Sequence, residues 1–201
     1  MSQISPFEEN LPKNQANYSP LTPLSFLTRT AEVFPERTAV IHGEIKRSWR
    51  ETLKRCTRLA SALKKKGVVQ GTTVSVMAPN VPELLEAHFG VLMTGGVLNA
   101  LNIRLEAETL AYILEHGDSQ VLITDREFSS VMQKVLQQLE DPPLVIDIDD
   151  PMAEGGELLG EMDYEAFLKT GDEDFEWNLP EDEWQAVSLN YTSGTTGKPK
   201  G

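Results

Sequence analysis

The residues best suited to chemistry lie together in the segment 192–201, which reads TSGTTGKPKG. Its hydroxyl residues are Thr192, Ser193, Thr195 and Thr196, its glycines are Gly194, Gly197 and Gly201, and its lysines are Lys198 and Lys200. Glycines allow backbone N–H groups to approach one anion closely, and short hydroxyls can donate to phosphate oxygens. Lysines supply positive charge that favours an anion and stabilises charge developing during transfer. The segment therefore predicts a loop that binds the phosphates of a nucleotide.

The spacing within this segment excludes a Walker A loop. That motif requires four residues between its glycines and a Ser or Thr after its lysine. Here two residues separate Gly194 from Gly197, and Pro199 follows Lys198. The Gly-x-Gly-x-x-Gly pattern of dinucleotide sites is also absent from the sequence. A plain surface loop rich in Ser, Thr and Gly is the alternative, but it does not explain why two lysines join these residues directly after the apolar run at 186–191.

The segment 191–201, YTSGTTGKPKG, resembles the AMP-binding signature of the adenylate-forming superfamily. That superfamily contains acyl-CoA synthetases, aryl-CoA ligases, luciferases and the adenylation domains of peptide synthetases. Weaker similarities extend the resemblance over the chain from about Asn17 and indicate plant acyl-activating enzymes related to short-chain, medium-chain and benzoate CoA ligases. They lie at 16–18, 20–23, 34–37, 42–43, 95–99 and 102–105. Ile103 departs from this subgroup, in which we expect a small or hydroxyl residue.

The resemblance implies a site and a reaction. The ATP-contacting positions of the family fall on Thr192, Ser193, Gly194, Thr195, Thr196 and Lys200. In the implied reaction a substrate carboxylate attacks the α-phosphorus of Mg-ATP and releases pyrophosphate, and the acyl-adenylate then forms a thioester with CoA. Lys200 would be the catalytic residue, because its charge would stabilise the departing pyrophosphate. ATP with Mg²⁺ is the expected cofactor, CoA and a small carboxylic acid are the expected partners, and no metal ligand is expected from this chain.

The same resemblance places the rest of the family's machinery beyond the loop. The magnesium-associated Glu, the aromatic adenine-binding motif, the ribose-binding Asp and the C-terminal adenylation Lys all follow it. The sequence is therefore interpreted as the N-terminal fragment of a carboxylate–CoA ligase, inactive by itself. Two alternatives stay open: a truncated nucleotide-binding or interaction module without catalysis, and an adenylate-forming enzyme that does not use CoA.

Alternating helix and strand patterns precede the loop and predict an α/β fold. Apolar, β-rich runs predict strands at 73–77, 97–101, 121–124, 144–148 and 186–191. Apolar residues at helical spacing predict a helix after Ser48, a second helix opened by Asn80, Pro82 and Glu83, and others over 106–116 and 128–139. Nearly continuous apolar strands favour a largely parallel sheet with helices on both faces, here the incomplete N-terminal part of the large adenylate-forming domain. Ligands of such sheets bind beyond the carboxyl ends of the strands, so we expect the loop to leave from such an end.

Several single residues carry structural predictions. Ser48 and Glu51 match a capping box at the start of the first helix. The apolar stripe of that helix includes the lone Cys56, which is therefore expected to be a buried structural thiol. His116 is predicted to stabilise the last turn of its helix through the helix dipole. His88 is expected to be a buried core histidine.

Acidic charge is concentrated in one segment of the chain. The net charge is −13, and the segment 147–183 contains 15 acidic residues but only one basic residue, Lys169. We expect four parts: a loosely ordered arm at 1–23, the α/β N-terminal region of an AMP-binding domain at 24–146, a solvated acidic excursion at 147–183, and a strand with the phosphate-binding loop at 184–201. No basic stripe could neutralise a nucleic-acid backbone, so no nucleic acid partner is expected.

The sequence also bears on the compartment. No run of 18 apolar residues is present to span a membrane. Residues 1–10 have neither the basic region nor the apolar core of a signal peptide. The protein is therefore expected in the cytoplasm, or in the peroxisome if a C-terminal address follows beyond this sequence.

Overall fold

A four-stranded parallel sheet with the strand order β4-β3-β5-β6 lies at the centre of the fold. The computed structural model describes residues 9, 10, 12, 14, 16–192 and 199–201. In chain order the elements are α1 (Pro23–Val33), β1 (Thr38–His42), β2 (Ile45–Ser48), α2 (Trp49–Lys65), β3 (Thr73–Met77), α3 (Pro82–Met93), β4 (Val97–Ala100), α4 (Ala107–His116), β5 (Ser119–Asp125), α5 (Ser129–Leu136), β6 (Leu144–Ile148) and α6 (Tyr164–Lys169). Within the described part of the chain, no helix is long and apolar enough to cross a membrane.

Side chains alternate across the central sheet and so divide the core into two layers. The strand residues that pack against α2, α3 and α6 on one face are Val74, Val76, Val121, Ile123, Ile146 and Ile148. On the other face, the fully buried Met77 and Leu122 pack against α4 and α5. The predicted α/β class and the parallel sheet with helices on both faces are therefore confirmed.

Helix α2 confirms the local predictions made for its start and its buried stripe. Ser48 Oγ accepts a hydrogen bond from the Glu51 N–H at 3.3 Å, and Glu51 Oε2 accepts one from the Ser48 N–H at 2.7 Å. This reciprocal pair satisfies two backbone donors that the helix itself leaves open. Cys56 is fully buried, and this burial raises the pKa of its thiol well above the ordinary range.

Other elements differ from the predictions. Helix α3 begins at Pro82, as predicted, but Asn80 does not cap it, because the residue before the helix is Val81, which is extended and makes no side-chain capping bond. The predicted helix at 128–139 is shorter, and it follows a 3₁₀ turn at Arg126–Phe128. Three elements were not predicted: α1, the antiparallel hairpin of β1 and β2, and α6. These are short or mixed in polarity, so their periodicity is weak and their burial depends on tertiary contacts.

Helix α6 lies inside the acidic segment and belongs to the core. Tyr164 and Phe167 are 2% and 1% exposed, and both pack in the layer that contains α2 and α3. Asp163 caps the helix, since its side chain accepts a hydrogen bond from the Ala166 N–H at 2.8 Å. The acidic segment is therefore not solvated throughout its length. The four-part division of the chain stays a prediction.

The carboxylate of Glu86 on α3 is buried, at 1% exposure, and joins three other elements. Its Oε1 accepts hydrogen bonds from Arg47 Nη1 on β2 at 2.8 Å and from Arg55 Nε on α2 at 2.6 Å. Its Oε2 accepts one from the hydroxyl of Tyr164 on α6 at 3.0 Å. Arg55 also pairs with Glu165 of α6 at 3.0 Å. A buried charge is tolerated only when such partners satisfy it, so Glu86 fixes the relative positions of these four elements.

Removing the Glu86 carboxylate is expected to be strongly destabilising. Glu86→Ala removes the buried partner of Arg47 and Arg55 and leaves them the half-exposed Glu165, which should lower the free energy of unfolding by about 3 kcal/mol, the lower end of the range for breaking a buried pair. Urea denaturation followed by circular dichroism measures this. The matched control is Glu36→Ala, which breaks a 2.8 Å pair with Arg50 in which both side chains are exposed, and should cost less than about 1 kcal/mol. A similar decrease in the free energy of unfolding in the two variants would contradict the proposed central role of Glu86.

At Gly90, α3 packs closely against α2. A Cβ at this position would lie 2.7 Å from Leu59 Cδ2 and 3.0 Å from the Cys56 carbonyl oxygen. Ala favours a helix interior over Gly by roughly 0.8–1 kcal/mol, but overpacking costs about 1–3 kcal/mol. We expect Gly90→Ala to lower the free energy of unfolding by about 1 kcal/mol net, because the backbone carbonyl cannot move away.

A double-mutant cycle tests this explanation. In a Leu59→Ala background the side-chain part of the clash is absent, so Gly90→Ala should be less harmful there than in the parent protein. Equal effects of Gly90→Ala in both backgrounds would show that the contact with Leu59 is not its cause.

Candidate functional site

The two ends of the predicted phosphate-binding loop are joined by backbone hydrogen bonds. The Thr192 N–H donates to the Lys200 carbonyl oxygen at 2.9 Å, and the Lys200 N–H donates to the Thr192 carbonyl oxygen at 3.2 Å. The chain therefore leaves at Thr192 and returns beside it at Lys200, and both residues are exposed. This closed antiparallel pair is called the loop base below.

The structure places only part of the predicted set of ATP-contacting residues. It brings Thr192 and Lys200 together at the loop base. Ser193, Gly194, Thr195 and Thr196 lie outside the described residues. The roles assigned to all six positions stay predictions.

Tyr191 and Gly201 pack together beneath the loop base. A Cβ at Gly201 would lie 2.8 Å from Tyr191 Cζ and 2.9 Å from Leu189 Cδ1. Gly201 was predicted to allow close approach to a phosphate, but here the space that a side chain would need is filled by Tyr191 and Leu189. Glycine at this position therefore has a packing reason as well.

The segment leading to the loop is attached to the edge of the sheet beside β4. The Leu98 N–H donates to the Val187 carbonyl oxygen at 3.0 Å, and the Leu189 N–H donates to the Leu98 carbonyl oxygen at 2.9 Å. This is one parallel bridge, at Ser188, rather than the strand predicted over 186–191. The neighbouring residues do not continue the ladder, and most of the segment is exposed.

The side chain of Tyr191 reaches the end of α4. Its hydroxyl lies 2.7 Å from Nδ1 of His116, and its ring packs with the layer that contains α4 and α5. Because β5 begins shortly after His116, this contact lies beside the amino end of a strand. The bridge at Ser188 is parallel to β4, and the expectation that the loop leaves at the carboxyl ends of the strands stays a prediction.

An apolar cleft of about 670 Å³ borders the segment that leads to the loop, since Leu98, Val187 and Ser188 are among its lining residues. Its walls come mainly from β1 and α3, with Val40, Leu85 and Phe89 among the lining residues. Neither Thr192 nor Lys200 lines it. His88 also faces this cleft and is exposed, so the prediction of a core histidine is wrong; its Nδ1 lies 2.7 Å from the Leu84 carbonyl oxygen on its own helix.

The carboxylates at the carboxyl ends of β5 and β6 have structural partners. Asp147 accepts hydrogen bonds from the Leu159 N–H at 2.9 Å and the Gly160 N–H at 2.6 Å. Asp150 lies 2.9 Å from Nε2 of His42. Burial raises the pKa of Asp125, whose Oδ1 accepts a hydrogen bond from a backbone N–H. In the part of the chain that the structure describes, no group of three or more His, Cys, Asp or Glu residues is arranged to hold a metal ion.

The contact of His116 with Tyr191 was missed by sequence reasoning. His116 was expected to act on its own helix, and it does lie in the last turn of α4. No pattern in the chain links it to a residue 75 positions away. A histidine at a helix end and a tyrosine before a glycine-rich loop were both visible, but only the tertiary structure pairs them.

The environment of Tyr191 should shift the ionisation of its phenol to higher pH. Burial, and to a lesser degree the neighbouring Tyr112, raises the pKa of Tyr191. The phenol should therefore ionise at a higher pH than an exposed tyrosine, and the folded protein should lose stability as the pH rises through this range, because the unfolded chain releases the proton first. The difference in absorbance at 295 nm between the parent protein and Tyr191→Phe measures the titration. Ionisation of Tyr191 at or below the ordinary value would contradict this environment.

Comparisons with known proteins agree with the architecture. A family profile described as AMP-binding enzyme matches residues 27–201. An acetate–CoA ligase of Humulus lupulus is 47% identical over 205 residues, which cover 96% of this chain and 36% of the relative. A peroxisomal acetate/butyrate–CoA ligase of Arabidopsis thaliana is also 47% identical, with the same coverage. The chain thus spans about 36% of the length of these relatives.

A solved structure shows the same fold. The anthranilate CoA ligase AuaEII in complex with anthranoyl-AMP superposes with a TM-score of 0.75, and the alignment covers 88% of this chain and 33% of that one. The sequence identity is 24%, so this likeness speaks for the fold alone.

Proposed function

Because the chain belongs to the AMP-binding enzyme family, we propose that it is the N-terminal part of a carboxylate–CoA ligase that activates a carboxylic acid with ATP. The two plant relatives are named as CoA ligases of short acids, which supports this reaction class. The observation in the structure that carries the proposal is the loop base. It closes a segment rich in hydroxyls, glycines and lysines into a loop, as a site for phosphates requires.

The proposed reaction has two steps. In the first, a carboxylate oxygen of the acid attacks the α-phosphorus of ATP, the bond from this phosphorus to the bridging oxygen breaks, and pyrophosphate leaves with the electron pair. In the second, the CoA sulfur attacks the acyl carbon, the thiol proton is lost to solvent or base, and AMP leaves. ATP enters this scheme as its Mg²⁺ complex, and CoA is a co-substrate.

The residues of this chain contribute positioning and charge. Thr192 and Lys200 stand at the two ends of the loop, so a hydroxyl and an ammonium group border the same segment. We propose that they hold the β- and γ-phosphates together with Ser193, Gly194, Thr195 and Thr196. Lys200 would stabilise the negative charge that builds up on pyrophosphate as it departs, which acts on the first step only.

The location of the protein is proposed as the cytoplasm, with the peroxisome as the alternative. The name of the Arabidopsis thaliana relative includes the peroxisome. A fluorescent fusion that leaves both termini of the complete coding sequence accessible, imaged beside a peroxisomal marker, distinguishes the two.

The chemistry is tested in the protein encoded by the complete reading frame that contains this chain. Lys200→Ala should slow acid-dependent ATP–pyrophosphate exchange roughly 100-fold or more, the effect of losing one stabiliser of developing charge. Thioester formation from a supplied acyl-adenylate should change far less. Acetate and butyrate are the first acids to assay. Lys66→Ala is the control, since Lys66 is an exposed lysine at the end of α2.

The outcomes separate the hypotheses. Unchanged exchange in Lys200→Ala would remove its catalytic role. Exchange without any acyl-CoA product for every acid tried would favour adenylation without CoA transfer. A reading frame that ends at Gly201, with nucleotide binding but no exchange, would favour a module without catalysis.

A further inference from the structure

We propose that His116 is a positioning residue for the phosphate-binding loop: by holding the Tyr191 hydroxyl, it fixes the chain at the point where the loop begins. The inference rests on the proposed function, because it assigns the loop base to phosphate binding. His116 itself touches no substrate in this proposal.

The contact is specific in its geometry. His116 Nδ1 and the Tyr191 hydroxyl are 2.7 Å apart, and the two rings meet edge to face with centroids 5.7 Å apart and planes at 80°. The imidazole also lies against Tyr112, one turn earlier on α4, with ring centroids 5.3 Å apart. In the neutral imidazole with its hydrogen on Nε2, Nδ1 accepts the hydrogen bond that Tyr191 donates. The imidazole is thus held between a residue of its own helix and the residue that precedes the loop.

The backbone next to His116 makes room for this contact. A Cβ at Gly117 would lie 3.0 Å from the Ile113 carbonyl oxygen, 3.2 Å from Leu189 Cδ2 and 3.4 Å from the Tyr191 hydroxyl. Gly117 itself has a negative φ of −84°, while the positive φ at this helix end, 47°, belongs to Asp118. A side chain at 117 would therefore crowd both the last turn of α4 and the segment before the loop, whereas backbone conformation does not require glycine there.

Tyr191 is connected to both ends of the loop. It directly precedes Thr192, whose backbone pairs twice with Lys200. On the return side, Gly201 packs against the Tyr191 ring. A shift of Tyr191 would therefore move Thr192 through the chain and Lys200 through the paired backbone.

The sheet alone holds this region weakly. The segment before the loop is bound to β4 by one bridge at Ser188, and its last backbone bond to the sheet is made by Leu189. Beyond that bond, the contact of Tyr191 with His116 supplies a side-chain anchor to a helix that is packed in the core. An anchored loop base loses less conformational entropy when a polyphosphate binds, which favours binding.

A simpler role for His116 would be stabilisation of its own helix through the dipole. The two roles differ in the substitutions that preserve them. Asn at 116 carries a side-chain oxygen near the place of Nδ1 and can accept the Tyr191 hydrogen bond, but it carries no positive charge. The positioning role therefore predicts rescue by Asn, and the dipole role does not.

The test is hydrogen–deuterium exchange of the intact protein, with fragmentation that resolves the amides of Thr192 and Lys200. His116→Ala and Tyr191→Phe should each raise exchange at these two amides about fivefold, the effect of losing one modest hydrogen bond. The double variant should show no further increase, and His116→Asn should stay close to the parent protein. Glu115→Ala is the control, because Glu115 is an exposed neighbour in the same helical turn.

A second readout connects the contact to ATP. In acid-dependent pyrophosphate exchange, the KM for ATP should rise about fivefold in His116→Ala and return toward the parent value in His116→Asn. Unchanged amide exchange at Thr192 and Lys200 in both His116→Ala and Tyr191→Phe would overturn the inference even in an active enzyme. Altered amide exchange in a protein that catalyses no pyrophosphate exchange would instead overturn the proposed function and leave the anchoring of the loop base standing.

Loss of folding does not leave the question open. If His116→Ala also exposes the amides of β3 and β5, the decision passes to Tyr191→Phe, which removes a single oxygen from a half-buried ring. Parent-like exchange at the loop base in that variant would overturn the inference.

Discussion

The buried carboxylate of Glu86 is the constraint on which the arrangement of the helices depends. It accepts hydrogen bonds from β2, α2 and α6 while it belongs to α3 itself. Desolvating a charge is costly, so these partners must all stay in place for the carboxylate to remain buried. Burial also raises the pKa of Glu83, one turn earlier on the same helix, which lies 3.7 Å from Arg47. One face of the sheet is thus covered by a layer whose elements are coupled through charge as well as apolar contact.

The other face supports the loop base by different means. There α4 packs through apolar side chains, and its last turn carries His116 to the Tyr191 hydroxyl. The apolar cleft borders α3 and the bridge at Ser188, whereas Tyr191 packs with α4 and α5, so the segment before the loop contacts the cleft first and this layer three residues later. The exposed loop base therefore depends on an edge bridge and one side-chain anchor, while the helices behind it are fixed by the core.

Much of the fold could be predicted because its signals are local. The capping box of Ser48 and Glu51 spans a single turn, and the β3 strand is a short run of β-branched, hydroxyl and apolar residues, TVSVM. The hairpin of β1 and β2 and the helix α6 escaped prediction for the opposite reason. The residues of β1 and β2 are mixed in polarity. Helix α6 lies among acidic residues, which favoured an exposed segment, but its aromatic side chains are buried in the core.

The sequence by itself determined the residue types and spacing in the loop and the alternation of helices and strands. Both features depend on residues that are close together in the sequence. The spacing of glycines, hydroxyls and lysines, for example, excludes a Walker A loop from the sequence alone. Only the tertiary structure decided which residues support that loop. The partners His116 and Tyr191 are 75 positions apart, and Glu86 and Tyr164 are 78 apart, so packing of separate elements creates both contacts. Local sequence patterns do not predict such pairs, because the two partners are far apart in the chain. They come within hydrogen-bond distance only when the separate elements pack together.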